Sequence, residues 1–221
     1  MVLCELSQAG FVSTWIALTS AAIVSLFLMS GTVFYAYYVN PTYEKWTRKT
    51  NAKFPKPVDV KNEIIMMVKG LCVGTLCPAT ALWLANNGDK WGGVSKAYCG
   101  AYEGGDSFFG PIGYNIVQFF VLWIVSDFFE FFYHWCGHYF TFLWTYHKPH
   151  HRFFNPSPFA VIADEYLDQF VRSSPLLWFP LIAPVNMDVL FGLFAVFFYG
   201  YGTYLHWGYE VDKLSAHNPI L

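Results

Sequence analysis

From Phe11 to Tyr38 the chain runs without a single Asp, Glu, Lys or Arg. An α-helix needs roughly 20 apolar residues to cross a hydrocarbon core of about 30 Å, and this run supplies them. It is too long for the apolar core of a signal peptide, and no basic segment precedes it. It therefore reads as a retained transmembrane helix rather than a cleaved leader. The rest of the composition agrees: 13% of residues are charged and 55% hydrophobic, whereas soluble domains carry about 25% charged residues. The net charge of −2 gives no reason to expect a nucleic-acid partner.

Three further apolar stretches follow. One extends from about Glu63 to Leu84, less regular at Lys69, Gly70 and Pro78, and one from about Tyr114 to Tyr133, its helix continuing past His138. The last, Leu176–Tyr204, is interrupted by Pro180, Pro184 and Asn186. The part before Pro184 is too short to cross at 1.5 Å per residue, so a hairpin or re-entrant pair is expected there. The fold class read from this pattern is all-α: an integral membrane helical bundle of about four spans. Residues 1–113 form an N-terminal transmembrane region, and residues 114–221 carry the chemistry. The segment His147–Arg172 is polar enough to lie outside the bilayer or on its surface.

Lys45, Arg48, Lys49, Lys53, Lys56 and Lys61 crowd the loop Asn40–Lys61 and assign it to the cytoplasmic side. The Gly-rich loop 86–113 has few basic residues and falls to the lumen. Counting spans from there places His134, His138, His147, His150, His151 and His206 on the cytoplasmic face. The five cysteines show no CxxC spacing. Free buried thiols are expected, with a Cys72–Cys77 or Cys99 pairing left open.

Five of the seven histidines fall within His134–His151, as HxxxH followed by HxxHH. His134 and His138, spaced i and i+4, share one helical face and can converge on one site. Pro149 interrupts regular helix around Lys148 and suits the first turn of a new one. His150 and His151 then point to different sides, so one short segment can serve two metals. Neutral imidazole suits iron, zinc and copper alike, and metal ligation explains the density better than packing does. Asp127 and Glu130 lie on the face of His134. Intramembrane carboxylates there either accept the ring N–H of a ligating histidine or pair with a basic residue near the interface. His206 stands alone in sequence and is an interfacial histidine or a further ligand. No HExxH, Gly-x-Ser-x-Gly or phosphate-cradling GK[ST] is present.

These clusters, with Asn155-Pro-Ser-Pro-Phe-Ala behind them, resemble the fatty acid hydroxylase/sterol desaturase superfamily of membrane di-iron enzymes, and most of all its sterol C5-desaturases. Asp127 matches an aspartate of that family's helix, and His206-Trp-Gly-Tyr-Glu resembles its later segment with an isolated ligand. The resemblance runs from about Asp127 to Leu221. It implies two irons held by His134, His138, His147, His150, His151 and His206. It also implies O2 as oxidant, with electrons delivered from NAD(P)H through cytochrome b5 or a reductase. The substrate would be a membrane lipid, a sterol or an acyl lipid, in the endoplasmic reticulum.

The chain departs from the family in three places. Trp135 stands where Arg is usual, and the stretch Ala163–Asp168 lacks an expected His-Pro. Glu165 and Asp168 are read there as a carboxylate ligand or hydrogen-bond acceptor, or as surface charge. A third HxxHH cluster is absent up to Leu221, and His217 is not counted as a ligand. A fragment of a longer protein is the expected explanation. The competing functions are a non-catalytic membrane metal-binding relative and a zinc-dependent lipid hydrolase.

Overall fold

The computed structural model describes residues 2–39, 53–91, 93–102 and 110–209. Most of the basic loop, part of the Gly-rich loop and His217 lie outside the described residues. Helix α1 (Val2–Ser7) turns through Gly10, at φ 92°, into α2 (Phe11–Phe34), whose last turn widens into a π-helix, Tyr35–Val39. Helix α3 (Pro57–Gly74) opens on a proline at its first position, where no intrahelical N–H is required. It stops before α4 (Leu76–Asn86) because Pro78 lacks the N–H that would bond the Gly74 carbonyl, and its ring crowds that carbonyl. The short α5 (Gly88–Trp91) leads to β1 (Ala97–Tyr98), and then comes α6 (Gly110–Tyr139).

Helix α7 (Thr141–His147), 3-10 turns at His150–Arg152 and Pro158–Ile162, α8 (Tyr166–Ser173) and α9 (Pro175–Ile182) come next. The chain continues through β2 (Val185–Asn186) and α10 (Met187–Gly192), then a π-helical stretch, Leu193–Phe198, and α11 (Tyr199–His206).

Among the described residues, four helical stretches are long and apolar enough to cross a membrane: Phe11–Val39, Pro57–Asn86, Ile112–Tyr139 and Met187–His206. The hairpin expected at the last span is present but starts earlier. Helix α8 packs along α3 and α9 along α4, so Tyr166–Ile182 runs back through the bundle before β2 pairs parallel with β1. The segment up to Arg172, expected outside the bilayer or on its surface, is thus packed against the helical bundle at its C-terminal end. Asp168, Gln169 and Ser173 are buried in the bundle. Two glycines of α3 make this close approach possible. A Cβ at Gly74 would stand 2.5 Å from Ser173 Oγ, and one at Gly70 would stand 3.2 Å from the Gln169 side chain.

Two apolar clusters hold the bundle. One, with Leu18, Leu82, Leu176, Met187 and Leu190, lies toward β1 and β2. The other, with Leu26, Met67, Leu71, Phe159 and Ile162, supports the opposite end. At the β end Cys4 and Cys99 form a disulfide with Cα atoms 6.0 Å apart. This corrects the expectation of free thiols throughout and of Cys72 as a partner. Cys72, Cys77 and Cys136 are free. Folding brings together two cysteines 95 residues apart because α1 packs on α4 just before the loop that carries Cys99.

At the other end Glu63, wholly buried on α3, accepts the Ser157 N–H at 3.2 Å and the Ser157 hydroxyl. That pair ties the segment following the HxxHH cluster to the second span.

Candidate metal centre

The last two turns of α6 present His134 and His138 on one face, with their Nε2 atoms 3.1 Å apart. Phe140 breaks the helix with extended backbone (φ −96°, ψ 120°), and α7 folds back beneath α6. Gly137 permits this contact, since a Cβ there would stand 3.0 Å from the His147 ring. Lys148 keeps right-handed helical backbone (φ −51°, ψ −38°) despite preceding proline, with its N–H on the Trp144 carbonyl at 2.8 Å. The expected interruption thus falls after Lys148, not at it. His147 and His151 stay four residues apart on a near-helical path, with Nε2 atoms 3.0 Å apart.

These four histidines converge. One nitrogen from each of His134, His138, His147 and His151 lies within 4.8 Å of all the others. Nitrogens bound to a single ion at about 2.1 Å stand roughly 3–4 Å from one another, and the two close pairs already have that spacing. His147, 1% exposed, places Nδ1 2.9 Å from Asp168 Oδ2. With the proton on Nδ1, the Nε2 lone pair faces the cluster, as a ligand requires. Tyr133 donates to the other oxygen of Asp168 at 2.7 Å, so the buried carboxylate has both oxygens engaged. Burial, and then the neighbouring His150, His147 and His138, push His151 down to about 4, so its imidazole is neutral at pH 7. The donor set fits a late first-row transition metal.

A second group adjoins the first. The rings of His150 and His206 lie 5.5 Å apart, and His206 Nδ1 donates to the Gly202 carbonyl at 2.7 Å, leaving its Nε2 free. His150 Nδ1 is 2.9 Å from Asp164 Oδ1, an ion-pair distance but out of line for a hydrogen bond. Asp164, with no exposed side-chain surface, is held at 2.5 Å by Arg172, which also binds Glu130 at 2.8 Å. Burial alone would raise the Asp164 pKa, but Arg172 and His150 outweigh it and hold the carboxyl well below the usual range.

The candidate residues therefore separate by role. His134, His138, His147 and His151 form one group, and His150 and His206 stand beside it. Asp168 holds a member of the first group. Among the described residues Glu130 hydrogen-bonds none of the histidines; it accepts from Arg172 instead. Glu165 caps α8 by accepting the Leu167 N–H at 2.9 Å in an exposed setting, which agrees with the surface-charge alternative of its reading. Asp127 lines the cavity below the histidines. Asp164, Arg172 and Tyr133 were not singled out from sequence. The spacing Asp164, Asp168, Arg172, four residues apart each time, was the available signal for two of them.

Against these side chains lies a cavity of about 680 Å³ that reaches His134, His150, His151 and His206. Elsewhere its lining is largely apolar, with Leu71, Leu176, Phe191, Phe194 and Phe198 among the walls.

Residues 119–220 match the model of the fatty acid hydroxylase family. A 75-residue stretch is 36% identical to a probable Delta(7)-sterol 5(6)-desaturase of Neurospora crassa, covering 34% of this chain and 20% of that relative. No solved structure matches. The superfamily resemblance read from the histidine spacing is borne out by both matches, which cover part of the chain, and the described residues include helices long and apolar enough to cross a membrane.

Proposed function

We propose that the chain carries the metal centre of an O2-dependent di-iron lipid oxidoreductase that desaturates or hydroxylates an unactivated C–H bond. Sterol C5-desaturation is the specific reaction we favour, on the strength of the partial identity to the sterol desaturase relative. The observation that carries the reading is the four-histidine convergence on the wall of a largely apolar cavity. Away from the histidines the walls are mostly apolar, which suits a lipid better than a water-soluble substrate, and a purely structural metal would not need a cavity of this size.

In this reading His134, His138, His147 and His151 hold one iron, and His150 and His206 supply donors to the second. Bound iron supplies the redox chemistry that no side chain offers for such a bond. The protein's own part is positional. Asp168 holds the proton on His147 Nδ1 and so presents Nε2. The Gly202 carbonyl does the same for His206. Arg172 keeps Asp164 ionised beside His150, where it favours a ring proton on Nδ1 and leaves Nε2 for the metal. The apolar walls admit a lipid tail and exclude water. Electrons would arrive from NAD(P)H through cytochrome b5 or a reductase at the cytoplasmic face of the endoplasmic reticulum.

The test is metal analysis and lipid turnover on the purified full-length protein in nanodiscs. Iron near two per chain, with O2- and reductant-dependent loss of lipid hydrogen abolished by His150→Ala, is the expected result. Full activity with zinc alone, or without O2, would sink the reading.

A further inference from the structure

The two histidine groups are assembled by different parts of the chain. His134, His138, His147 and His151 come from α6, α7 and the turn after it, with Asp168 of α8 behind them. His150 and His206 lie far apart in sequence, and between them sits the buried 3-10 turn Pro158–Ile162. That turn is anchored on the first two spans. Ser157, its N-cap, accepts the Phe159 N–H at 3.3 Å and is itself held by Glu63 of α3. Ser30 of α2, wholly buried, donates to the Pro158 carbonyl at 2.7 Å.

Two contacts run outward from the anchored turn. Asp164, just past it, stands 2.9 Å from His150 Nδ1. Val161, 4% exposed, lies against Gly202 of α11, one helical turn before His206. A Cβ at Gly202 would overlap the Cγ2 methyl of Val161. Valine is stiff at χ1, so a buried one does not swing aside cheaply. The φ of Gly202 is not positive, so its backbone conformation does not require glycine. Glycine inside a helix is destabilising relative to alanine. Close approach to Val161 is what calls for it.

We infer that Val161 and Gly202 are positioning residues for the second ion: their contact sets α11 against the turn so that His206 meets His150, ring centroids 5.5 Å apart. This rests on the di-iron reading and says which part of the fold builds its second site. One ion shared by two imidazoles at about 2.1 Å needs their nitrogens roughly 3–4 Å apart. Carbon atoms in contact settle at about 3.5–4.0 Å, so a methyl added at Gly202 drives α11 off the turn by roughly 1 Å. A preorganised site has to be held within about 0.5 Å. The Gly202 carbonyl, which accepts from His206 Nδ1 at 2.7 Å, survives in alanine. Loss of the second ion in Gly202→Ala therefore reports a displaced helix, not a lost hydrogen bond.

The experiment sets Gly202→Ala against Gly202→Ala combined with Val161→Ala, which removes the obstructing methyl. Co(II) is titrated into the purified full chain and followed by visible absorption and bound-metal stoichiometry. The wild type should take up two ions. Gly202→Ala should weaken the second by about tenfold or more, the scale on which supporting contacts act on a metal site, and leave the first within about threefold. The double variant should regain the second ion. Gly200→Ala, on the same helix with open space around its Cβ, should keep both. A second ion held equally tightly in Gly202→Ala overturns the inference. If that variant does not fold, the double variant decides, and one that fails to fold or lacks the second ion overturns it too.

A metal-free readout separates this from the di-iron reading. His150→Cys and His206→Cys are introduced together and joined by dibromobimane, which fluoresces once both its arms have reacted with thiols; the single-cysteine variants set the background. Cross-linking should fall in Gly202→Ala and return with Val161→Ala. That pattern with no second ion in the wild type would sink the di-iron reading and leave the positioning role standing. Two ions per chain and undiminished cross-linking in every variant would do the reverse.

Discussion

Asp168→Asn is the substitution that tests the metal centre most directly. Asp168 is wholly buried and accepts from His147 Nδ1 at 2.9 Å and from Tyr133 at 2.7 Å. Asparagine has nearly the same shape. Its carbonyl oxygen can accept from His147 while its amide donates to the Tyr133 oxygen, so no buried polar atom need be orphaned. What disappears is the negative charge behind the imidazole. A charge-assisted acceptor raises the basicity of a ligating histidine, and its loss commonly costs 10–100-fold in metal affinity, about 1.4–2.7 kcal/mol. If the amide turned the other way, its NH2 would face Nδ1, and the ring proton would move to Nε2, blocking ligation by His147 altogether.

The assay is a competition titration of Co(II) or Fe(II) against a chelator of known affinity, with thermal unfolding of the apo protein measured beside it. The expected outcome is metal affinity lowered at least tenfold and apo stability changed by less than about 1 kcal/mol, because packing and hydrogen bonding are retained. Asp168→Ala, which strands both partners, should lower both quantities. Affinity within threefold of wild type in Asp168→Asn would refute the argument that Asp168 sets the His147 tautomer for a metal.

Three other outcomes are expected. Arg172→Leu leaves Asp164 buried without its cation and should lower stability by about 3–5 kcal/mol; thermal unfolding in detergent reads it, and adding Asp164→Asn with Glu130→Gln should recover part of the loss. Cys4→Ser removes the disulfide and should cost about 2–4 kcal/mol; in sealed vesicles Cys4 and Cys99 should become alkylatable only after reduction and only from the side opposite His147. Tyr98 is pushed up to about 12 by burial and by Tyr114, so its tyrosinate absorbance should rise well above the usual 10. Because the folded pKa is the raised one, its contribution to stability is complete below about pH 10 and is lost as pH climbs from 10 through 12.

The spans were legible because lipid leaves a long apolar stretch few alternatives, and the i, i+4 spacing of His134 and His138 carries straight into their 3.1 Å approach. Residues after His151 were harder to read, because polarity was taken as exposure. The run Ala163–Ser173 looks like a surface segment when each charge is imagined in water. It is not one, because Gly70 and Gly74 let α8 sink against α3, where Arg172 pairs with Asp164 and the two aspartates stand against the ring nitrogens of His150 and His147. The helical phase that puts these three on one side also turns Glu165 outward to cap α8, so two neighbouring carboxylates with the same sequence credentials take unrelated roles. No local signal in α8 reports a pair of glycines about a hundred residues earlier. The same reasoning accounts for Gln169: an amide next to charged residues suggests solvent until the partner helix is known, yet its side chain is buried against Gly70 and Gly74.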